Sequence, residues 1–206
     1  MKRVWNAEEK LGYERALQAK GVQYIAGVDE VGRGPLAGPV VCAAVVMPLD
    51  ESELIVGVDD SKKISEKKRE DLAEKIKQKA LCYTIIEIDE KTIDEINILE
   101  ATKLGMKRAI ESLKIPPEIV LTDGNMTIDI TVPQKSVIHG DALSYSIGAA
   151  SIVAKVYRDH LMDEYAKTYP AYAFEKNKGY GTAAHIQAIK EQGLCPIHRR
   201  TFTKKF

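Results

Sequence analysis

The stretch "IAGVDEVGRGPLAGPVVCAAVV", residues 25–46, reads in two incompatible ways, and the choice between them decides the fold. Gly32, Gly34 and Ala37 satisfy the G-x-G-x-x-A spacing of a dinucleotide-binding turn. Such a turn hands a strand over to a helix whose N-terminal amides face a pyrophosphate. Here the glycines lead instead to Pro39 and then Val-Val-Cys-Ala-Ala-Val-Val, a run that favours a strand. Pro35 and Pro39 also remove backbone donors that a phosphate would need. The cofactor reading fails on context, leaving two paired strands joined by GRGPLAGP. Turn chemistry alone accounts for that loop. It does not account for Asp29 and Glu30, which close the first apolar run. Adjacent strand residues face opposite sides, and a buried aspartate is costly without a partner. Taken alone, the pair fits a solvated strand end as well as it fits a metal site.

Working outward, residues 6–19 read as a charged, mildly amphipathic helix, and 23–28 and 40–47 as the paired strands. Residues 65–80 form a helix capped by Ser65, 82–88 a third strand, and 94–113 a helix ended by Pro116-Pro117. Short strands follow at 119–121, running into Asp123-Gly124-Asn125, and at 136–138, running into Gly140-Asp141. A long helix, 142–167, is rich in small residues that allow close packing on a sheet; another is expected near 183–191. This order predicts an α/β fold, a mixed sheet with helices on its faces.

The 206 residues suit one domain, or one domain with a small appendage, and no staple is needed for a core of that size. Thirty basic side chains balance thirty acidic ones, so any nucleic-acid contact must come from a local patch. Cys42, Cys82 and Cys195 are odd in number and unpaired by spacing, which suits reduced thiols in a cytoplasmic protein. No apolar run approaches the ~20 residues of a membrane span, so no membrane partner is expected.

Asp123 alone reads as a turn residue before glycine, and Asp141 as a helix N-cap. The pattern says more: three strands each run into an acid. In sheets of this class ligands gather beyond strand ends. Were these ends side by side, four carboxylates would converge and repel unless cations neutralised them. Oxygen-only ligands select Mg²⁺ or Mn²⁺, and two such ions roughly 4 Å apart suit in-line attack of water on a phosphodiester. Lys62 lies in a charge run that would ordinarily be a solvated face. At 100° per residue Lys155 returns toward the direction of Asp141, and with Arg158 it could track a phosphate backbone. Lys176, Lys178 and the run His198-Arg199-Arg200 suggest a further contact. Tyr180 stands between two glycines that would expose its ring to a sugar or base.

Together these residues resemble the bacterial type 2 ribonuclease H family, ribonuclease HII. The resemblance runs from about residue 11 to 202. It is carried by GVDEVGRGPLAGPVV (27–41), DSKK (60–63), DEIN (94–97), TDGN (122–125), GD (140–141), AASIVAKVYRD (149–159), NKGYGT (177–182) and PIHRRTF (196–202). It implies a ribonuclease H-like, five-stranded mixed sheet whose first three strands are antiparallel. The catalytic core would occupy residues 1–168, with 169–206 a helical extension packed on it. It further implies a monomeric, cytoplasmic endonuclease that cuts RNA in RNA–DNA hybrids. The same enzyme would cut 5′ of single ribonucleotides in duplex DNA, leaving 3′-hydroxyl and 5′-phosphate ends, as ribonucleotide excision repair requires.

By position, the family's metal-binding acids fall on Asp29, Glu30, Asp123 and Asp141, holding two Mn²⁺ or Mg²⁺ ions. Its ribonucleotide-sensing loop falls on Gly32, Arg33 and Gly34, and its sugar-contacting tyrosine on Tyr180. Lys62, Lys155, Arg158 and Arg199 are then expected to hold phosphates. Two rivals are a hybrid-binding module without turnover, whose expected mark is a lost acid, and the family's sister type. The sister type usually has lysine in place of Arg33 and adds an N-terminal substrate-binding domain, so Arg33 and the short N-terminal stretch disfavour it.

Overall fold

The computed structural model describes residues 5–205. β1 (Ile25–Val31) and β2 (Val40–Val46) pair antiparallel, as the proline-bounded loop requires, with Asp29 opposite Ala43 and Glu30 opposite Cys42. β3 (Cys82–Ile88) adds antiparallel to β2. On the other side of β1, β4 (Ile119–Asp123) and β5 (Gln134–Val137) run parallel to it, giving the order β3-β2-β1-β4-β5. Every residue of β2 is buried, which is why its sequence is a continuous apolar run rather than an alternation.

Helices cover both faces. α3 (Glu66–Lys79) and α6 (Tyr145–Thr168) close one face over Val41, Ala43, Val45, Ala149 and Val153. α4 (Glu90–Glu111) closes the other over Ala26, Val28, Cys42, Ala44 and Met106. α1 (Ala7–Lys10) and α2 (Gly12–Gln18) precede β1, and α5 (Gly140–Leu143) joins β5 to α6. Beyond α6 come α7 (Phe174–Asn177) and α8 (Ala183–Gln192). Phe174, Ile189 and Ile197 there pack with Met162 of α6 and Ala37 of the β1–β2 loop. Cys42 and Cys82 are buried, and all three cysteines are free thiols. Among the described residues no helix is long and apolar enough to cross a membrane.

Several expected elements differ in detail. The single helix over 6–19 is two, broken at Leu11. α4 starts at Glu90, capped by Asp89, and is interrupted at Asn97, whose φ is 67° and whose side chain accepts from the Leu99 and Glu100 amides. Asn97 thus caps a second helical segment inside the first. Ser65 makes no side-chain capping bond to α3. The long helix begins at Tyr145, because Ser144 is extended and caps it through the Ile147 amide. Asp141 is therefore no N-cap: it lies inside α5, whose cap is left-handed His139.

The C-terminal segment carries a buried histidine pair. His198 Nε2 lies 3.0 Å from His185 Nε2, and His185 Nδ1 lies 2.9 Å from the Tyr180 carbonyl. Burial, then the neighbouring His185, pulls His198 down to about 4, and burial lowers His185 as well. Both are neutral in the fold near neutrality, whereas the unfolded chain takes up protons from about pH 6.5 downward. Stability contributed here is complete at neutral pH and is lost as pH falls from about 6.5 toward 4. Melting curves at pH 7.5 and pH 5 are expected to show a larger loss for the wild type than for H198N. Equal losses would remove the pair as the cause.

Candidate active site

β1 sets the first two acids. Asp29 faces α6, where Ser151 hydrogen-bonds its carboxylate, and Glu30 faces the α4 side, where its charge bears on Cys42. The strand does not end at them, as the sequence reading held, but runs on to Val31. β4 does end in its acid: the last paired row is Val28–Thr122, so Asp123 stands one position on, beside Asp29. Adjacent strands are about 4.8 Å apart, which puts the two carboxylates in one crevice. Asp123 Oδ1 accepts from the Gly140 amide at 2.7 Å, tying the turn that carries Asp141 to the end of β4. Asp141 is thus delivered by a helical turn four residues beyond β5.

The electrostatics agree with this convergence. Asp29 is buried and, among the described residues, has no ion-pair partner. Burial, then the Glu30 and Asp123 charges, holds it well above the usual carboxylate range. Burial raises Glu30, opposed by Arg33 and reinforced by Asp123; the Arg33 guanidinium is 3.5 Å from Glu30 Oε1. Burial raises Asp141, with Asp123 and Asp60 adding to it. Asp123 is the common neighbour of the other three. Lys62 sits on a short 3-10 turn (Ser61–Lys63) capped by Asp60. Burial works against its charge, but Asp141, Asp29, Asp60 and Asp123 outweigh that and raise its pKa. It is exposed, yet it lies within electrostatic reach of these acids.

This donor set fits hard divalent cations: it is all oxygen, and its mutual repulsion is only partly relieved by Arg33 and Lys62. As the side chains stand, no group of three or more Asp, Glu, His or Cys among the described residues is arranged to hold a metal ion.

The glycine loop borders the acids. Gly32 has φ 92°, and a Cβ there would fall 2.2 Å from Arg158 Nε, so glycine at this position serves packing from beneath. Gly34 lies against Tyr180: a Cβ there would be 3.6 Å from Tyr180 Cε1. The Tyr180 ring is 44% exposed, as its flanking glycines suggested. The Leu36 amide donates to the Gly179 carbonyl at 2.8 Å, joining this loop to the tyrosine's.

The other basic residues depart from expectation. Arg158 and Arg199 are fully buried and donate to backbone carbonyls, so neither can reach a phosphate. Lys155 is bound to Asp159 at 2.6 Å one turn on, and Lys178 is paired with Asp163. The alignment of Lys155 with Asp141 assumed one continuous helix, which Ser144 breaks. His198 is buried too, leaving Arg200 exposed in that run. Sequence reasoning missed three supporting residues. Ser151 bonds Asp29; Lys10 donates to the Ala142 carbonyl; and Glu14 Oε1 accepts from the Ser146 amide at 3.0 Å. Their partners are 122 to 132 positions away, and no local pattern marks them.

The family model described as Ribonuclease HII matches residues 26–205. The ribonuclease HII of Ligilactobacillus salivarius is 56% identical over 195 residues, covering 95% of this chain and 75% of that protein. Among solved structures, the ribonuclease H2 of Pyrococcus horikoshii OT3 aligns with a TM-score of 0.74 at 27% identity, covering 89% of this chain and 96% of that one. A Bst-RNase HIII in complex with Mn²⁺ has a TM-score of 0.72 at 20% identity, covering 89% and 69%, a likeness of fold alone. Sequence match, sheet order and the cluster of acids agree: this chain belongs to the ribonuclease HII family of metal-dependent ribonucleases.

Proposed function

We infer that this chain hydrolyses RNA strands paired with DNA and also cuts on the 5′ side of a single ribonucleotide within duplex DNA. The observation that carries the reading is Asp29: a buried carboxylate without an ion-pair partner among the described residues, pressed against Glu30 and Asp123 beside an exposed backbone loop. Asp29, Glu30, Asp123 and Asp141 would hold two Mg²⁺ or Mn²⁺ ions. When bound, these would supply an activated water on one side of the scissile phosphate and neutralise charge on the departing 3′-oxygen on the other.

The chain's own residues do the rest. Lys62, already drawn toward the acids, meets the scissile phosphate once its carboxylate neighbours turn to their ligand. The loop 32–34 and the Tyr180 ring read the sugar, where only the 2′-hydroxyl separates ribose from deoxyribose. Loop backbone can approach that hydroxyl closely because Gly34 adds no side chain. Ser151 keeps Asp29 oriented from α6. The protein acts as a monomer, and residues 169–206 serve as an extension that supports the sugar-reading side.

The test is a duplex DNA carrying one ribonucleotide, incubated with Mg²⁺, with Mn²⁺ and with chelator. Expected products are a DNA fragment ending in a 3′-hydroxyl and a fragment whose ribonucleotide bears a 5′-phosphate. Cutting 3′ of the ribonucleotide with a 2′,3′-cyclic phosphate would show the sugar's own hydroxyl as nucleophile. That result, or cutting in chelator, overturns the reading.

A further inference from the structure

Arg158 and Arg199 lie side by side under the glycine loop, each 0% exposed. Among the described residues neither forms an ion pair. Arg199 instead donates to the carbonyls of Gly32 (2.5 Å), Arg33 (2.9 Å) and Gly38 (2.9 and 2.8 Å), and its guanidinium lies 5.2 Å from the Phe202 ring centre. Arg158 donates to Pro39 (3.0 Å), Ala37 (3.2 Å) and Lys178 (2.9 Å), two residues before Tyr180. Burial, then Arg158, pulls Arg199 down to about 9, and burial pulls Arg158 down to about 10. Both remain cations at neutral pH. Two adjacent buried cations without an ion-pair partner are costly, and replacing such buried charge by apolar side chains is often neutral or stabilising.

What the guanidinium groups add is direction. A trans peptide points its N–H away from its C=O. With the Gly32 and Arg33 carbonyls drawn inward by Arg199, the amides of Arg33 and Gly34 face outward. Among the described residues neither amide donates to another protein group. Arg158 meanwhile fixes the carbonyl side of the Lys178–Gly179 peptide, and both cations lie within electrostatic reach of the Tyr180 hydroxyl.

We propose that Arg199 and Arg158 are positioning residues for ribose selection: their buried bonds aim the Arg33 and Gly34 amides and seat Tyr180 at the sugar's 2′-hydroxyl. This rests on the sugar-reading role proposed for the loop. The residues come from three distant segments, so the selectivity of the core depends on a side chain of the C-terminal segment. A lysine at either position keeps the charge but not the planar fork, and so cannot hold the same set of carbonyls.

The experiment uses the full chain as wild type, R199K and R158K. It measures kcat and KM on duplex DNA with one ribonucleotide, and Ki for the same duplex made wholly of DNA as a competitor. Losing a charge-assisted bond in each case is expected to lower kcat by about tenfold or more, with Ki and the metal concentration for half-maximal rate unchanged. A merely structural role would lower activity in step with thermal stability, and cooling would restore it. A folded R199K with wild-type kcat overturns the proposal. Should R199K not fold, R158K carries the same expectation; if neither folds, the pair is a structural strut and the proposal falls. If the wild type itself shows no preference between the two duplexes, the sugar-reading role of the loop has failed, independently of the arginines.

Discussion

Replacing Asp29 by asparagine is expected to cut hydrolysis by at least about a hundredfold, since even groups that only orient metal ligands cost up to that much. The same substitution is expected to stabilise the metal-free protein. The wild-type carboxylate is buried, and its folded pKa is raised by that burial and by Glu30 and Asp123. An acid with a raised folded pKa adds nothing below its unfolded pKa and penalises the fold increasingly as pH climbs from there to the raised value, above which the penalty is complete. Neutral asparagine has the same shape, can still accept from the Glu30 amide as Asp29 Oδ1 does at 2.8 Å, and escapes the penalty. With chelator at neutral pH, D29N should therefore melt above the wild type. With millimolar Mn²⁺ the order should reverse, because binding to the native state stabilises by mass action and, on the proposed assignment, the variant lacks one of the ligands. A variant that cuts at the wild-type rate, or melting temperatures whose order metal does not change, would remove Asp29 from the metal site.

The second large effect is expected at a residue with no chemistry of its own. A Cβ on Gly27 would stand 2.0 Å from the Ser146 carbonyl carbon, 2.1 Å from its oxygen and 2.4 Å from the Ile147 amide nitrogen. All three are backbone atoms, so no rotamer change relieves the clash, and α6 must lift from β1. Overpacking a core costs up to about 3 kcal/mol, and a backbone obstacle belongs at that upper end. For a chain of this size G27A should then melt roughly 6–12 °C lower. The displacement also reaches the site: α6 carries Ser151, which bonds Asp29, and follows directly on the turn carrying Asp141. Misplacing reacting groups by about 1 Å can cost on the order of a hundredfold. G27A should accordingly lose activity even at a temperature where it is fully folded. Full activity there would show that the seat of α6 on Gly27 does not set the spacing of the acids.

These two residues show what could and could not be read from the chain. Asp29 stood out because an acid at the end of an apolar run is locally anomalous, and Asp123 repeated the anomaly. Tyr180 stood out through its flanking glycines. Gly27 gave no local signal, since a glycine inside a strand has many uses and the helix that needs this one arrives 119 residues later. Arg158 and Arg199 were misread for a related reason. A cationic side chain in a nuclease-like chain suggests a phosphate, and local sequence carries no sign that carbonyls of a distant loop will surround it.

By itself the sequence determined the paired first strands, through the β-branched run that follows the glycine loop, and it singled out the four acids proposed here as metal ligands. Pattern and residue type are local properties, and they survive without coordinates. Tertiary structure alone decided that Asp123 is the neighbour shared by the other three acids, that Asp141 arrives on a separate turn, and that two arginines are buried beneath the loop. Each of those depends on which distant backbone a side chain meets. Burial, Coulomb repulsion and hydrogen-bond direction act through space, not along the chain.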